Sequence, residues 1–143
     1  MNEMNQRLLL RISLTLTATL IILAGSRGGE SIHLSGKVSG GSGKHAIYVA
    51  LWDAQSFLKH PVQQVRIEPG AAASFQFQIP EGRWALSAFE DQNDNGVLDM
   101  GVFGPKEPSG FWHPFHGWRK PRFDDVAVQV DRDTTDVTIE LKR

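Results

Sequence analysis

Along the chain, apolar and polar residues alternate in short bursts separated by turn residues. Ile32, Leu34 and Val38 open a loosely alternating segment, and Ser39-Gly40-Gly41-Ser42-Gly43 closes it as a turn. Ile47, Val49 and Leu51 mark one face of residues 46–52, and a shorter strand is expected over residues 62–67. Phe75, Phe77 and Ile79 alternate with Ser74, Gln76 and Gln78, the cleanest half-buried strand pattern in the chain. Trp84, Leu86 and Ala88 follow the turn Pro80-Glu81-Gly82. Val126, Val128 and Val130 predict a late strand, and Val137, Ile139 and Leu141 the last one. No segment after residue 26 keeps a 3.6-residue period over a helical length, although residues 54–60 suffice for one turn. The expected fold class is all-β. Its simplest form is an antiparallel sandwich of about seven strands with Greek-key connections, immunoglobulin-like or transthyretin-like.

One region breaks this rhythm. Residues 90–125 show no strand pattern, and a connection of that length is far beyond the usual 2–6 residues or so. Phe103, Phe111, Trp112, Phe115, Trp118 and Phe123 fall in it, so it is expected to be ordered. The aromatics can close over the loop as a satellite core or form a stacking platform for a sugar ring or peptide.

The long loop opens on Asp91-Gln92-Asn93-Asp94-Asn95-Gly96-Val97-Leu98-Asp99. Oxygen-bearing side chains stand at positions 1, 3, 5 and 9, glycine at position 6 and an apolar residue at position 8, the first three quarters of an EF-hand-type calcium loop. Side chains two apart in a tight loop converge, glycine lets the backbone turn, and the Val97 carbonyl can serve as a neutral ligand. Position 12 is Val102, where such a loop has a bidentate glutamate, and no helix flanks it. The missing oxygens must come from elsewhere, with Glu107 the first candidate and Asp124 and Asp125 behind it. The expected metal set is therefore Asp91, Asn93, Asn95, Val97, Asp99 and Glu107, with calcium as the cofactor. The competing reading is a turn, since Asp and Asn side chains also cap their own backbone without a metal.

From Gly82-Arg83-Trp84-Ala85-Leu86-Ser87-Ala88-Phe89-Glu90-Asp91, through Asn93-x-Asn95-Gly96-x-Leu98-Asp99, to Phe103-Gly104-Pro105-Lys106-Glu107-Pro108-x-Gly110-Phe111, the chain resembles the DUF2141 family. Pro121-x-Phe123-Asp124-Asp125-Val126 resembles the stretch that closes that family's long loop. The resemblance covers roughly residues 31–143 and implies a sandwich and an exported location. The family has no assigned function, so the resemblance supplies no catalytic residues. Two departures stand out. Glu90-Asp91 replaces the usual histidine-aspartate, and Gly110-Phe111-Trp112-His113-Pro114 replaces glycine-phenylalanine-serine-asparagine-asparagine.

The N-terminus reads as a separate object. Arg7 and Arg11 precede a short apolar run over residues 12–25, and Ala24, Gly25 and Ser26 end it, the pattern of a secretory signal peptide over residues 1–26. An uncleaved anchor is the alternative, but the run is shorter than the ~20 residues a spanning helix needs. Ser26 stands where a lipidated cysteine would be, so no lipid anchor is expected. Residues 27–30 read as a linker and residues 31–143 as one domain. Without residues 1–26 the chain carries 13 basic and 15 acidic side chains, which argues against nucleic acid as its partner. It has no cysteine, which excludes disulfides, thiol catalysis and zinc–thiolate sites.

No Gly-x-Ser-x-Gly or His-Glu-x-x-His motif is present, and Pro114 between His113 and His116 removes the helical spacing a paired-histidine metal site would use. The expectation is a non-enzymatic, calcium-stabilised binding or structural module, periplasmic or extracellular, without a stable membrane span. Its partner would be an envelope protein or a carbohydrate ligand. The alternative is a small envelope hydrolase using Glu107, Asp124 or a histidine of the long loop.

Overall fold

The computed structural model describes residues 29–143, so the segment over residues 1–26, expected from the sequence to be a signal peptide, lies outside the described residues. In chain order the elements are β1 (Ile32–Ser39), β2 (Ala46–Trp52), β3 (Gln63–Ile67), β4 (Ser74–Ile79), β5 (Gly82–Asp91), β6 (Met100–Gly101), β7 (Gly104–Pro105), β8 (Ser109–Phe111), α1 (Phe123–Val126), β9 (Val128–Val130) and β10 (Thr134–Glu140). Each of the seven segments expected from alternation contains a strand. β4 follows the rule most closely, with Phe75, Phe77 and Ile79 buried and their neighbours exposed.

The strands form two main sheets, with β6 and β7 paired apart as a two-stranded hairpin. One runs β10-β1-β4. The other runs β3-β2-β5, and the far edge of β5 is shared by β8 and β9. β1 pairs with β4 and β2 pairs with β5, so successive strands cross between sheets in the Greek-key manner. One pairing departs from the expected antiparallel scheme: β10 lies parallel to β1. Alternation along a strand reports which face is buried and carries no information about the direction of the neighbour. The β1–β10 ladder shifts register between Leu34 and Gly36. At Gly36 a Cβ would come within 2.1 Å of the Val137 carbonyl oxygen, so glycine is what lets the two strands approach there.

Between the sheets lies a core that includes Leu34, Val49, Leu51, Phe77, Ile79, Leu86, Val137 and Ile139. β2 is buried on both faces for a separate reason. Ile47, Val49 and Leu51 face the main core, whereas Ala50 and Trp52 face outward under a second cluster with Ala85 and Val126, roofed by Phe57, Leu58, Phe111, Phe115 and Phe123. Much of the aromatic content of the long excursion therefore covers the outer face of the larger sheet. Trp112 packs instead against the main core, and Trp118 is fully exposed.

The long loop expected over residues 90–125 is shorter and more structured than the pattern indicated. β5 continues through Glu90 and Asp91, which pair with Ile47 and Ala46. β6, β7, β8 and α1 all lie within the span. These strands have two or three residues and include Gly101, Gly104 and Gly110, so they leave no alternation to read. Val126, expected to begin a strand, ends α1 instead. The helix is a single turn in which Asp125 accepts a hydrogen bond from the Arg122 amide. Residues 54–60 make only a turn, with Leu58 in the left-handed region at φ +57°. Among the described residues no helix is long and apolar enough to cross a membrane.

Candidate functional site

Among the described residues three charged side chains are buried: Glu90, Asp91 and Glu107. They gather where β5 gives way to the acidic loop. Buried carboxylates persist only when hydrogen bonds replace their lost hydration, and each of these has its partners.

Asp91 organises the loop from within. One of its oxygens accepts the Asn95 amide at 3.2 Å and the other the Gly96 amide at 2.8 Å. These bonds close a turn in which Asp94 has φ +57° and Gly96 φ +76°, a conformation glycine adopts without steric cost. Asn95 Oδ1 in turn accepts the Val97 amide at 3.1 Å. Glu107 closes the loop from outside. Its Oε1 accepts the Gln92 amide at 2.8 Å and its Oε2 the Asp99 amide at 3.1 Å. One carboxylate thus clamps the two ends of the eight-residue span between them. The Lys106 amide donates to the Asp99 carbonyl at 2.8 Å, which brings Glu107 back along the β6–β7 hairpin.

The sequence-predicted ligands are only partly assembled by this arrangement. The side-chain amides of Asn93 and Asn95 meet the Asp99 carboxylate, donating to its Oδ2 at 2.5 and 3.0 Å. Asp91 and Glu107 lie at the base of the same loop, occupied by backbone amides. Val97 gives its amide to Asn95, and its side chain is 58% exposed. Among the described residues no three His, Asp or Glu side chains stand together within metal-ligand range. The donor chemistry still suits a hard cation, since every residue in the set offers oxygen, Val97 through its backbone carbonyl, and a carboxamide presents oxygen or nitrogen by a half-turn. A half-turn of both asparagines would set three oxygens around one point. It would also release the Val97 amide from Asn95.

Glu90 belongs to a neighbouring arrangement that the sequence did not single out. It accepts the Ser42 amide at 2.5 Å and the Ser42 hydroxyl at 2.6 Å. Burial pushes its pKa up, but the two bonds from Ser42, a bond from Gln92 and the nearby His45 outweigh burial and hold it below the ordinary glutamate value. The glycine-rich turn after β1 is thereby pinned to the end of β5. The only available hint was a serine between glycines, a pattern shared by countless turns.

The carboxylates proposed for hydrolysis are not brought together. Asp124 is exposed and paired at 2.7 Å with Arg83, at the start of β5. Glu107 binds Gln92, just beyond the other end of that ten-residue strand, and at ~3.3 Å per residue the strand spans about 25–30 Å. Asp125 is taken by both guanidinium nitrogens of Arg119, at 2.7 and 2.8 Å. Those bonds, with the Arg122 amide, hold its carboxyl far below the usual carboxylate range. His113 and His116 are exposed.

The hairpin itself was not anticipated. β6 and β7 pair Met100 with Pro105 and Gly101 with Gly104, leaving Val102 and Phe103 as a two-residue tip. Val102 is 94% exposed and Phe103 fully so. The one sequence cue was two apolar residues flanked by glycines, Gly101-Val102-Phe103-Gly104.

No curated protein and no solved structure matches the chain. A family model described as an uncharacterized protein conserved in bacteria matches residues 38–138, from the end of β1 into β10. That span takes in the buried carboxylates, the acidic loop and the hairpin, and because it is well over half of the sequence, the chain belongs to the DUF2141 family.

Proposed function

We propose that this protein is an exported, non-enzymatic β-sandwich binding module in which calcium orders the acidic loop and, through it, the excursion that follows. The observation that carries the calcium reading is the convergence of Asn93, Asn95 and Asp99 at the rim of a loop whose base already holds two buried carboxylates, Asp91 and Glu107. Backbone amides offset part of that negative charge, and a divalent cation at the rim would offset more. The residues that would hold it are Asp91, Asn93, Asn95 and Asp99, with the Val97 carbonyl and Glu107 completing the set. Bound there, the ion would supply a positive centre joining the two ends of the loop. Export rests on the signal-like segment over residues 1–26.

The test is thermal unfolding in calcium and in chelator. At about a hundredfold excess over its dissociation constant, calcium would add ~2.7 kcal/mol of stability, a rise in Tm on the order of 10 °C for a domain of this size. Asp99→Ala should lose that rise while keeping the amide bonds to Asp91. A second reading is supported by those same amide bonds: a loop closed entirely by hydrogen bonds and needing no ion. Identical melting of the wild type in calcium and in chelator would select it and end the calcium proposal.

A further inference from the structure

Four asparagines occur in the chain, and one of them, Asn95, is followed by glycine. That pair has its own chemistry. The backbone amide of the following residue can attack an asparagine side-chain carbonyl, and glycine has no Cβ to shield the nitrogen or restrict its approach. Here the Gly96 nitrogen would bond to Asn95 Cγ, and the Cγ–Nδ2 bond would break. Nδ2 would leave as ammonia, taking up the proton given up by the Gly96 amide. Water then opens the cyclic imide at either carbonyl. One opening leaves aspartate in place of Asn95. The other runs the main chain through the side-chain carboxyl as isoaspartate and lengthens the backbone by one atom. Water is the one co-reactant.

Asn95 is exposed, so solvent and base reach it. What opposes the reaction is the fold of the loop. The Gly96 amide donates to Asp91 Oδ2 at 2.8 Å and the Asn95 amide to Asp91 Oδ1 at 3.2 Å. Attack requires the Gly96 amide to lose its proton, and the buried carboxylate in contact with it disfavours the negative charge that results. The Asn95 side chain is also held at both ends. Its Oδ1 accepts the Val97 amide at 3.1 Å, and its Nδ2 donates to Asp99 Oδ2 at 3.0 Å. Reaction needs the nitrogen and Cγ to meet in an aligned approach, and these four hydrogen bonds resist the rearrangement. The loop must open locally before the pair can react.

We infer that Asn95 is a deamidation site gated by the acidic loop: the closed loop suppresses the reaction, local opening permits it, and the product keeps the loop from closing again. Either product replaces the Nδ2 donor to Asp99 with a carboxylate oxygen, which sets like charges against each other. Isoaspartate also lengthens the span between Gln92 and Asp99, whose amides Glu107 holds together. The gate is the hydrogen-bonded loop itself and does not require calcium.

The test follows deamidation of the full chain in mildly alkaline buffer with chelator, by peptide mass mapping with fragmentation that separates aspartate from isoaspartate. In the folded wild type Asn95 should react many-fold more slowly than in the same chain unfolded in urea. Asn93, which precedes Asp94, is the internal control and should stay intact in both. Asp91→Ala should react several-fold faster than the wild type while amide protection in β1 and β4 is retained. Asp99→Ala frees only the side-chain amide and should give a smaller rise. The isolated isoaspartate form should exchange the Gln92 and Asp99 amides faster than the unmodified chain. The inference is overturned by a folded wild type that reacts as fast as the chain in urea, or by folded variants that react no faster than the wild type. It is also overturned if the isoaspartate form keeps wild-type protection at Gln92 and Asp99. Calcium-independent melting would defeat the metal reading and leave these outcomes unaffected.

Discussion

The sandwich and the excursion after β5 are ordered by different forces. In the sandwich, Leu34, Val49, Leu51, Leu86 and Ile139 are withdrawn from water, and stability comes from apolar area and close packing, which are additive and tolerant of direction. In the acidic loop, little apolar surface is buried. Order comes from a few hydrogen bonds aimed at Asp91 and Glu107. A core built from many contacts loses stability by degrees when one side chain is trimmed. A loop built from two carboxylates loses its shape when either is removed. This division leaves the loop free to present apolar residues outward, because its order does not depend on burying them.

The largest effect is expected in the core. Leu86→Ala should cost about 3–4 kcal/mol in denaturant unfolding, from lost burial and the cavity left behind. Glu107→Ala should cost less, about 2–3 kcal/mol, because it leaves the Gln92 and Asp99 amides without their acceptor. Its signature is local: those two amides should exchange hydrogen faster, while protection in β1 and β4 is unchanged. Glu107→Gln keeps one acceptor oxygen and should cost roughly half as much. If Glu107→Ala instead loosened the whole sandwich as Leu86→Ala does, the two regions would be one cooperative unit and the contrast would fail.

The smallest effect concerns the second clamp. Ser42→Ala should cost about 1 kcal/mol near neutral pH by removing the hydroxyl bond to Glu90. Glu90 titrates below its ordinary value in the folded state. A depressed carboxylate contributes stability that is present above the unfolded pKa, ~4.3 for glutamate, and is lost as pH falls through the folded value. Removing the hydroxyl raises the folded pKa toward what burial alone would set. The acid-unfolding midpoint of Ser42→Ala should therefore lie at higher pH than that of the wild type. The two proteins should converge in stability once both are protonated. Coincident acid limbs would mean that the turn after β1 is held by the backbone alone.

The seven expected strands were legible because each has a two-residue period written into its own side chains, β4 most plainly in Phe75, Phe77 and Ile79. The acidic loop was legible as a special turn from Asp91, Asn95 and Gly96, which act on amides only a few residues away. Local physics carries local information. The parallel pairing of β10 with β1, the short strands β6 to β8, and the clamp of Glu107 across Gln92 and Asp99 were decided elsewhere. They depend on which distant segment supplies the neighbour. The same holds for the aromatics. Composition put six of them in the excursion, but only the packing sent Phe111, Phe115 and Phe123 onto the outer face of the larger sheet and left Phe103 and Trp118 in water. Burial depends on what lies opposite a side chain in space, and that is a property of the assembled fold.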